Sequence, residues 1–114
     1  MKTQTPDYSY AIEKITNTLE CLTTHPGDVR ERIAAAFLLF HTVTVKHLPE
    51  KCGEDWRWVM SEIHKYEPGL DYKGDVTAGS VEYTMKQIRK VTAVRIAKKI
   101  CKVYWAVSQN KKYL

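Results

Sequence analysis

Four stretches of this chain repeat apolar residues at intervals of three and four, with proline or glycine between them. In the first stretch, Tyr8, Ile12, Ile15, Leu19 and Leu22 follow this spacing, which places them on one face of a helix. A strand would instead require alternation with a period of two. The pattern therefore predicts an all-α fold, and four helices with mostly short connections favour an antiparallel four-helix bundle.

Prolines and glycines mark the boundaries of the predicted helices. Pro26 ends the first helix and opens the second, where its fixed φ is tolerated in the first turn, and Pro49 ends the second. Residues 67–79 hold three of the five glycines and form the predicted loop. We expect helices over residues 7–23, 26–47, 50–66 and 80–110. With 114 residues, we expect one helical domain, 1–114.

The composition is that of a globular protein, with 44% hydrophobic and 27% charged residues. No apolar run reaches the roughly 18 residues of a membrane span, so no membrane role is expected. The N-terminus has no secretory signal, and Cys21, Cys52 and Cys101 have neither the number nor the spacing of a disulfide framework. We therefore expect a cytoplasmic protein with reduced thiols.

The net charge of +5 is unevenly distributed along the chain. Residues 1–79 carry nine Lys and Arg against twelve Asp and Glu, whereas residues 80–114 carry nine against Glu82 alone. The last helix is therefore strongly cationic, which favours a polyanion or an acidic protein as partner. Its candidate phosphate-binding residues are Lys86, Arg89, Lys90, Lys98, Lys99 and Lys102.

The last helix also carries apolar residues on two sides. One stripe, which we expect to face the core, comprises Val81, Met85, Ile88, Thr92, Ile96, Ile100, Val103 and Val107. A second stripe comprises Val91, Val94, Cys101 and Trp105, with Lys98 within it. Trp58 is predicted to point away from the core of the third helix. Trp58 and the four residues of the second stripe are the predicted contact surface, although Trp58 could equally pack against a neighbouring element. Either the last helix breaks, near Thr92 or Ser108, or its second stripe is covered by helix two, by another partner, or by a second copy of the chain in a homodimer.

Two classes of binding function follow from this charge and these aromatics. The first is engagement of nucleic acid, or of a nucleic-acid-containing complex, by the basic helix. The second is a protein-protein interaction module, such as a regulator, adaptor or mobile-element-type inhibitor, that binds an acidic partner. No enzymatic activity is expected under either hypothesis.

Candidate sites for metal binding and catalysis are sparse. Cys21 and His25 supply only two potential ligands, and His41 and His47 do not share a helix face, so no metal or cofactor is expected. Arg57 and His64, spaced i, i+7, could hold phosphate and transfer protons. Their spacing resembles the arginine and histidine motif of the HEPN superfamily, which implies a small helical ribonuclease that commonly acts as a dimer. The resemblance covers these two residues, and Trp58 stands where that family usually has a polar residue.

Overall fold

The computed structural model describes residues 7–66, 69–70 and 76–109. Its α-helices are α1 (Ser9–Thr24), α2 (Val29–Phe40), α3 (Gly53–Ile63), α4 (Ser80–Gln87) and α5 (Lys90–Ser108). Two short strands, β1 (Gly69–Leu70) and β2 (Val76–Ala78), pair antiparallel within the predicted loop. The predicted all-α class is confirmed, with five α-helices among the described residues in place of the four expected. The rest of the predicted loop, and residue 110 at the end of the last predicted helix, lie outside the described residues.

The turn between α1 and α2 depends on glycine and on an aspartate cap. Gly27 adopts a φ of 100°, in the left-handed region that other residues rarely enter. Asp28 then accepts hydrogen bonds from the backbone N–H groups of Arg30 and Glu31, and the Glu31 side chain accepts one from Asp28 N–H. This capping box starts α2 at Val29, so the prediction that the helix begins at Pro26 is wrong.

The second and third helices are shorter than predicted at the segment that joins them. The helix α2 ends at Phe40 rather than near residue 47, and two 3₁₀ turns, Val45–His47 and Glu50–Cys52, precede α3. The Trp56 Nε1–H donates to the carbonyl of Val43 at 2.9 Å, so the connection is bonded to the core rather than continued as helix. The β-branched run from Thr42 to Val45 also disfavours a further helical turn.

Aromatic rings form the centre of the hydrophobic core. Trp56 is 1% exposed and packs edge-to-face on Phe40, with ring centroids 5.6 Å apart. Each α-helix adds buried apolar side chains to the same cluster, among them Ile15, Ile33 and Ile100. Burial of such side chains is the main term that stabilises a fold of this size.

The prediction of one continuous helix over residues 80–110 is wrong. The helix α4 ends at Gln87, and both Ile88 and Arg89 have extended backbone before α5 begins at Lys90. Arg30 of α2 donates from Nη1 to the carbonyl of Ile88 at 3.3 Å. This bond gives the Ile88 carbonyl, at the break between the helices, a hydrogen-bond partner. Beyond the break the core face also moves, because Ala93 is fully buried while Thr92 is only half-buried.

After the break, α5 packs against α1, α2 and α3, whereas α4 packs against α2 and α3. The remaining predicted core residues of α5, Ile96, Ile100, Val103 and Val107, are buried. The side of α5 opposite to them is left in contact with solvent. Among the described residues, no helix is both long and apolar enough to cross a membrane.

Candidate nucleic-acid interface

A shallow groove of about 340 Å³ lies where the solvent side of α5 meets α3. It is lined by Trp58 of α3 and by four cationic residues of α5: Arg95, Lys98, Lys99 and Lys102. We call these five residues the basic groove. The four cations are spaced three, one and three residues apart, which places them on one side of the helix within two turns.

One carboxylate lies beside the basic groove. Asp55 of α3 forms ion pairs with both Lys99 and Lys102, each at 3.3 Å. Partial burial raises the pKa of Asp55, but hydrogen bonds and charge from Lys102 and Lys99 outweigh it and hold that pKa below its ordinary value. The four cations of the groove and this one paired carboxylate leave an excess of three positive charges.

Trp58 forms a wall of the groove rather than an outward contact. Its side chain is half-buried and packs against the hydrophobic core, and Lys99 Nζ lies 5.6 Å from the centroid of its ring. That distance is within the range of a cation–π interaction. The expectation that Trp58 points away from the core is therefore met only in part, because one portion of the ring is packed and another lines the groove.

The structure separates the six predicted phosphate-binding residues into two groups. Lys98, Lys99 and Lys102 line the basic groove. Lys86 lies on α4 with Glu82 at 3.6 Å, and Lys90 lies 3.9 Å from Asp28 at the start of α5. The third member of this second group, Arg89, is exposed at the break between the two helices.

Arg95 was not among the predicted site residues, although it lines the groove. Its spacing of three from Lys98 and of seven from Lys102 was the signal in the sequence that would have included it. Within the part of the chain that the structure describes, neither Arg95 nor Lys98 forms an ion pair. Both are exposed, so their charges are available to a ligand.

The second predicted stripe of the last helix is exposed along α5. Val91, Val94 and Trp105 are 56%, 39% and 64% exposed, and Cys101 is half-buried between them. We call these four residues the apolar stripe. The Trp105 ring packs edge-to-face on Tyr104 at 5.7 Å between centroids. The stripe adjoins the basic groove through Lys98, so apolar and cationic surfaces share one helix face.

The structure does not bring Arg57 and His64 together. The guanidinium of Arg57 lies over Gly53, where an added methyl group would be 3.4 Å from Nη1, at the start of α3. His64 lies beyond the other end of α3, with its ring 5.3 Å from that of Phe37 and its Nδ1 bonded to the carbonyl of Met60. The described contacts therefore hold Arg57 and His64 toward different ends of α3, and the ribonuclease activity that the HEPN resemblance implies stays a prediction.

A larger open cleft of about 870 Å³ lies between α2 and α4. Its apolar lining includes Phe37, Met85 and Leu38, and the Leu38 side chain is 76% exposed. The charged residues at its edge are largely paired with one another, as Asp28 with Arg30 and Glu82 with Lys86. The cleft therefore lacks the uncompensated charge that distinguishes the basic groove.

Potential metal ligands remain dispersed in the fold. Among the described residues, no three His, Cys, Asp or Glu side chains are grouped so that they could hold a metal ion. His25 Nδ1 instead lies 2.8 Å from the carbonyl of Pro26, and His47 Nδ1 accepts from Thr44 N–H at 3.0 Å.

Comparison of the chain with protein-family profiles, with curated proteins and with solved structures finds no match. The chemistry of the basic groove therefore follows from its own residues.

Proposed function

We propose that this protein binds a nucleic acid through the basic groove. The observation that supports this function is the excess of three positive charges on one side of α5, beside the Trp58 indole of α3. Cationic side chains neutralise phosphates, and aromatic rings stack on bases, so both parts of a nucleotide would find a partner there. A small acidic metabolite would pair with some of these charges, but it would be too short to contact the whole row of cations on α5.

The length of α5 fits a linear polyanion. Its 19 residues span about 28 Å, and cations extend over two turns of its solvent side. Lysine and arginine heads on such a face can follow successive phosphates, with their apolar stems lying along the helix. Because Asp55 compensates only one of the four cations, the field over the groove stays positive and attracts the ligand over a distance.

The test is the salt dependence of binding to a labelled oligonucleotide, followed by fluorescence anisotropy. We expect affinity to fall steeply as salt rises, because phosphate contacts release counterions. The Arg95→Glu and Lys98→Glu variants should each weaken binding about tenfold or more and lower the slope of log affinity against log salt by about one or more. Lys86→Glu, on α4 and already paired with Glu82, is the matched control and should change little.

Two results would contradict nucleic-acid binding through this groove. The first is an affinity that does not change with salt, or no binding to DNA and RNA. The second is an equal loss in Lys86→Glu and in Lys98→Glu, since that would show a dependence on net charge rather than on the groove.

A second candidate function is protein association through the apolar stripe. It is favoured by the exposure of Val91, Val94 and Trp105 on a helix whose opposite side is fully packed. Exposed aromatic and aliphatic side chains in a row are typical of contact surfaces. A second copy of this chain would cover the stripe by helix-to-helix packing of α5 on α5.

A further inference from the structure

The basic groove has two chemically different sides. Arg95 and Lys98 are exposed and form no ion pair within the described residues, whereas Lys99 is held by Asp55 and by the ring of Trp58. The free cations therefore lie on the solvent side of the groove, and the indole lies on the α3 side. A ligand that fits both must present a charged group and a flat apolar group next to each other.

We propose that the groove binds single-stranded nucleic acid, with an unpaired base against Trp58 and the adjoining phosphates on Arg95 and Lys98. This inference rests on the proposed function and specifies the form of its ligand. The volume of about 340 Å³ is at the lower end of the range for small-ligand sites, about 300–1,000 Å³. The groove is therefore suited to one nucleotide unit rather than to the full width of a nucleic-acid double helix.

A duplex does not offer the group that Trp58 requires. In a double helix the faces of the bases are stacked on one another, so a side chain in a groove between protein helices cannot reach them. Single strands expose base faces, and stacking on an aromatic ring is sequence-tolerant because every base has such a face. We therefore expect little sequence preference, with selection for the unpaired state.

Trp58 is also suited to stacking on a base because its side chain is partly buried. Its packing against the core fixes the ring before a ligand arrives, and a stacking base would take the place of the Lys99 ammonium, which lies 5.6 Å from the ring centroid. A ring that is already ordered loses less conformational entropy on binding than a freely rotating one. Trp105 is 64% exposed on the apolar stripe, and its ring packs on Tyr104 rather than against the core.

The experiment compares three ligands of equal length: a single-stranded oligonucleotide, its duplex, and a single strand with abasic sites. The abasic strand keeps the phosphates and removes the bases. We expect at least tenfold weaker binding of the duplex and the abasic strand, measured by anisotropy at one salt concentration. Trp58→Leu should lower the affinity for the intact single strand to that for the abasic strand. Trp58→Phe should keep most of the native affinity for the intact single strand. Circular dichroism and thermal unfolding establish that each variant is folded.

Tryptophan fluorescence provides a second readout, which reports on the indole itself rather than on the affinity of a variant that could be destabilised. In a Trp105→Phe background, quenching by the single strand should persist, because the remaining groove indole is Trp58 while Trp56 is buried. Loss of quenching in that background, with quenching kept in Trp58→Phe, would place the stacked base on Trp105 and overturn the inference.

The outcomes separate the inference from the function on which it rests. Equal, salt-dependent binding of all three ligands would leave nucleic-acid binding in place and overturn base stacking in the groove. Tighter binding of the duplex would do the same. No binding to any of the three ligands would overturn both.

Discussion

At the scale of single residues, Asp55 sets the net charge of the basic groove. Replacing it with asparagine removes the carboxylate that pairs with Lys99 and Lys102. We expect Asp55→Asn to bind a single-stranded oligonucleotide several-fold more tightly at low salt, because the groove gains a unit of positive charge. The gain should shrink as salt rises. Glu54→Gln, which removes an exposed charge one residue away, is the control, and an equal gain there would contradict a local effect.

Asp28 acts as both cap and counter-ion. The hydrogen bond from Arg30 is the main cause that lowers the pKa of Asp28 to about 2, from an ordinary value of 3.8. Because this pKa is lower in the folded state, ionised Asp28 stabilises the fold at any pH above the ordinary pKa of 3.8. That stabilisation is lost as the pH falls from about 4 to about 2. Urea denaturation should therefore show that Asp28→Asn, which can still cap α2, is less stable than the native chain at neutral pH. The difference should narrow in acid, and a gap independent of pH would contradict this.

The three cysteines should differ in reactivity. Cys52 is 2% exposed, and burial raises the pKa of its thiol, so it has both little access and little thiolate at neutral pH. Cys21 and Cys101 are half-buried. Iodoacetamide followed by mass spectrometry of the native protein should show modification of Cys21 and Cys101 well before Cys52. Early modification of Cys52 would mean that the segment before α3 opens readily.

At the scale of elements, the break between α4 and α5 decides which cations share a surface. On a straight helix, the buried residues of α4, centred near Val81, and those of α5, centred near Ile100, would face directions about 90° apart. One continuous helix cannot bury both sets against one core. The predicted core stripe contained this drift, since it passed through Thr92, which is half-buried, instead of Ala93. Periodicity gave the segment as helix, but the break has no proline or glycine, and it depends on tertiary contacts such as Arg30 to Ile88.

Thr84 connects α4 to the segment that follows α3, and a matched pair of threonines tests that connection. Thr84 Oγ1 accepts from Tyr66 N–H at 3.1 Å, whereas Thr18 Oγ1 donates only within α1, to Lys14 O at 2.8 Å. Both threonines are fully buried. Thr84→Val should lower the free energy of unfolding by about 0.5–1.5 kcal/mol, because Tyr66 N–H loses its partner. Thr18→Val should change it little. Equal losses in denaturant unfolding would contradict a specific tie between α3 and α4.

At the scale of the whole molecule, the sequence carried the chemistry of the site but not its assembly. The cations of the last helix and its two apolar sides follow from composition and helical spacing. Trp58 and Asp55 belong to α3, however, and their position beside Lys99 depends on how α3 packs on α5. Local periodicity contains no information on that packing. For the same reason the sequence does not divide the six predicted cations, although Lys86 pairs with Glu82 on α4 and Lys90 lies beside Asp28 at the start of α2.

The two candidate functions predict opposite responses of the whole molecule to salt. Nucleic-acid binding through the basic groove weakens as salt rises, because released counterions drive it. Self-association through the apolar stripe would bring two strongly cationic α5 helices together, with Lys98 near the centre of the contact, so salt should strengthen it by screening their repulsion. Sedimentation velocity of the isolated protein should therefore show any dimer increasing with salt and lost in Val94→Asp, a variant outside the groove. A dimer that dissociates on addition of salt would instead indicate charge pairing between copies, and a monomer at every salt concentration would exclude the apolar stripe as a self-association surface.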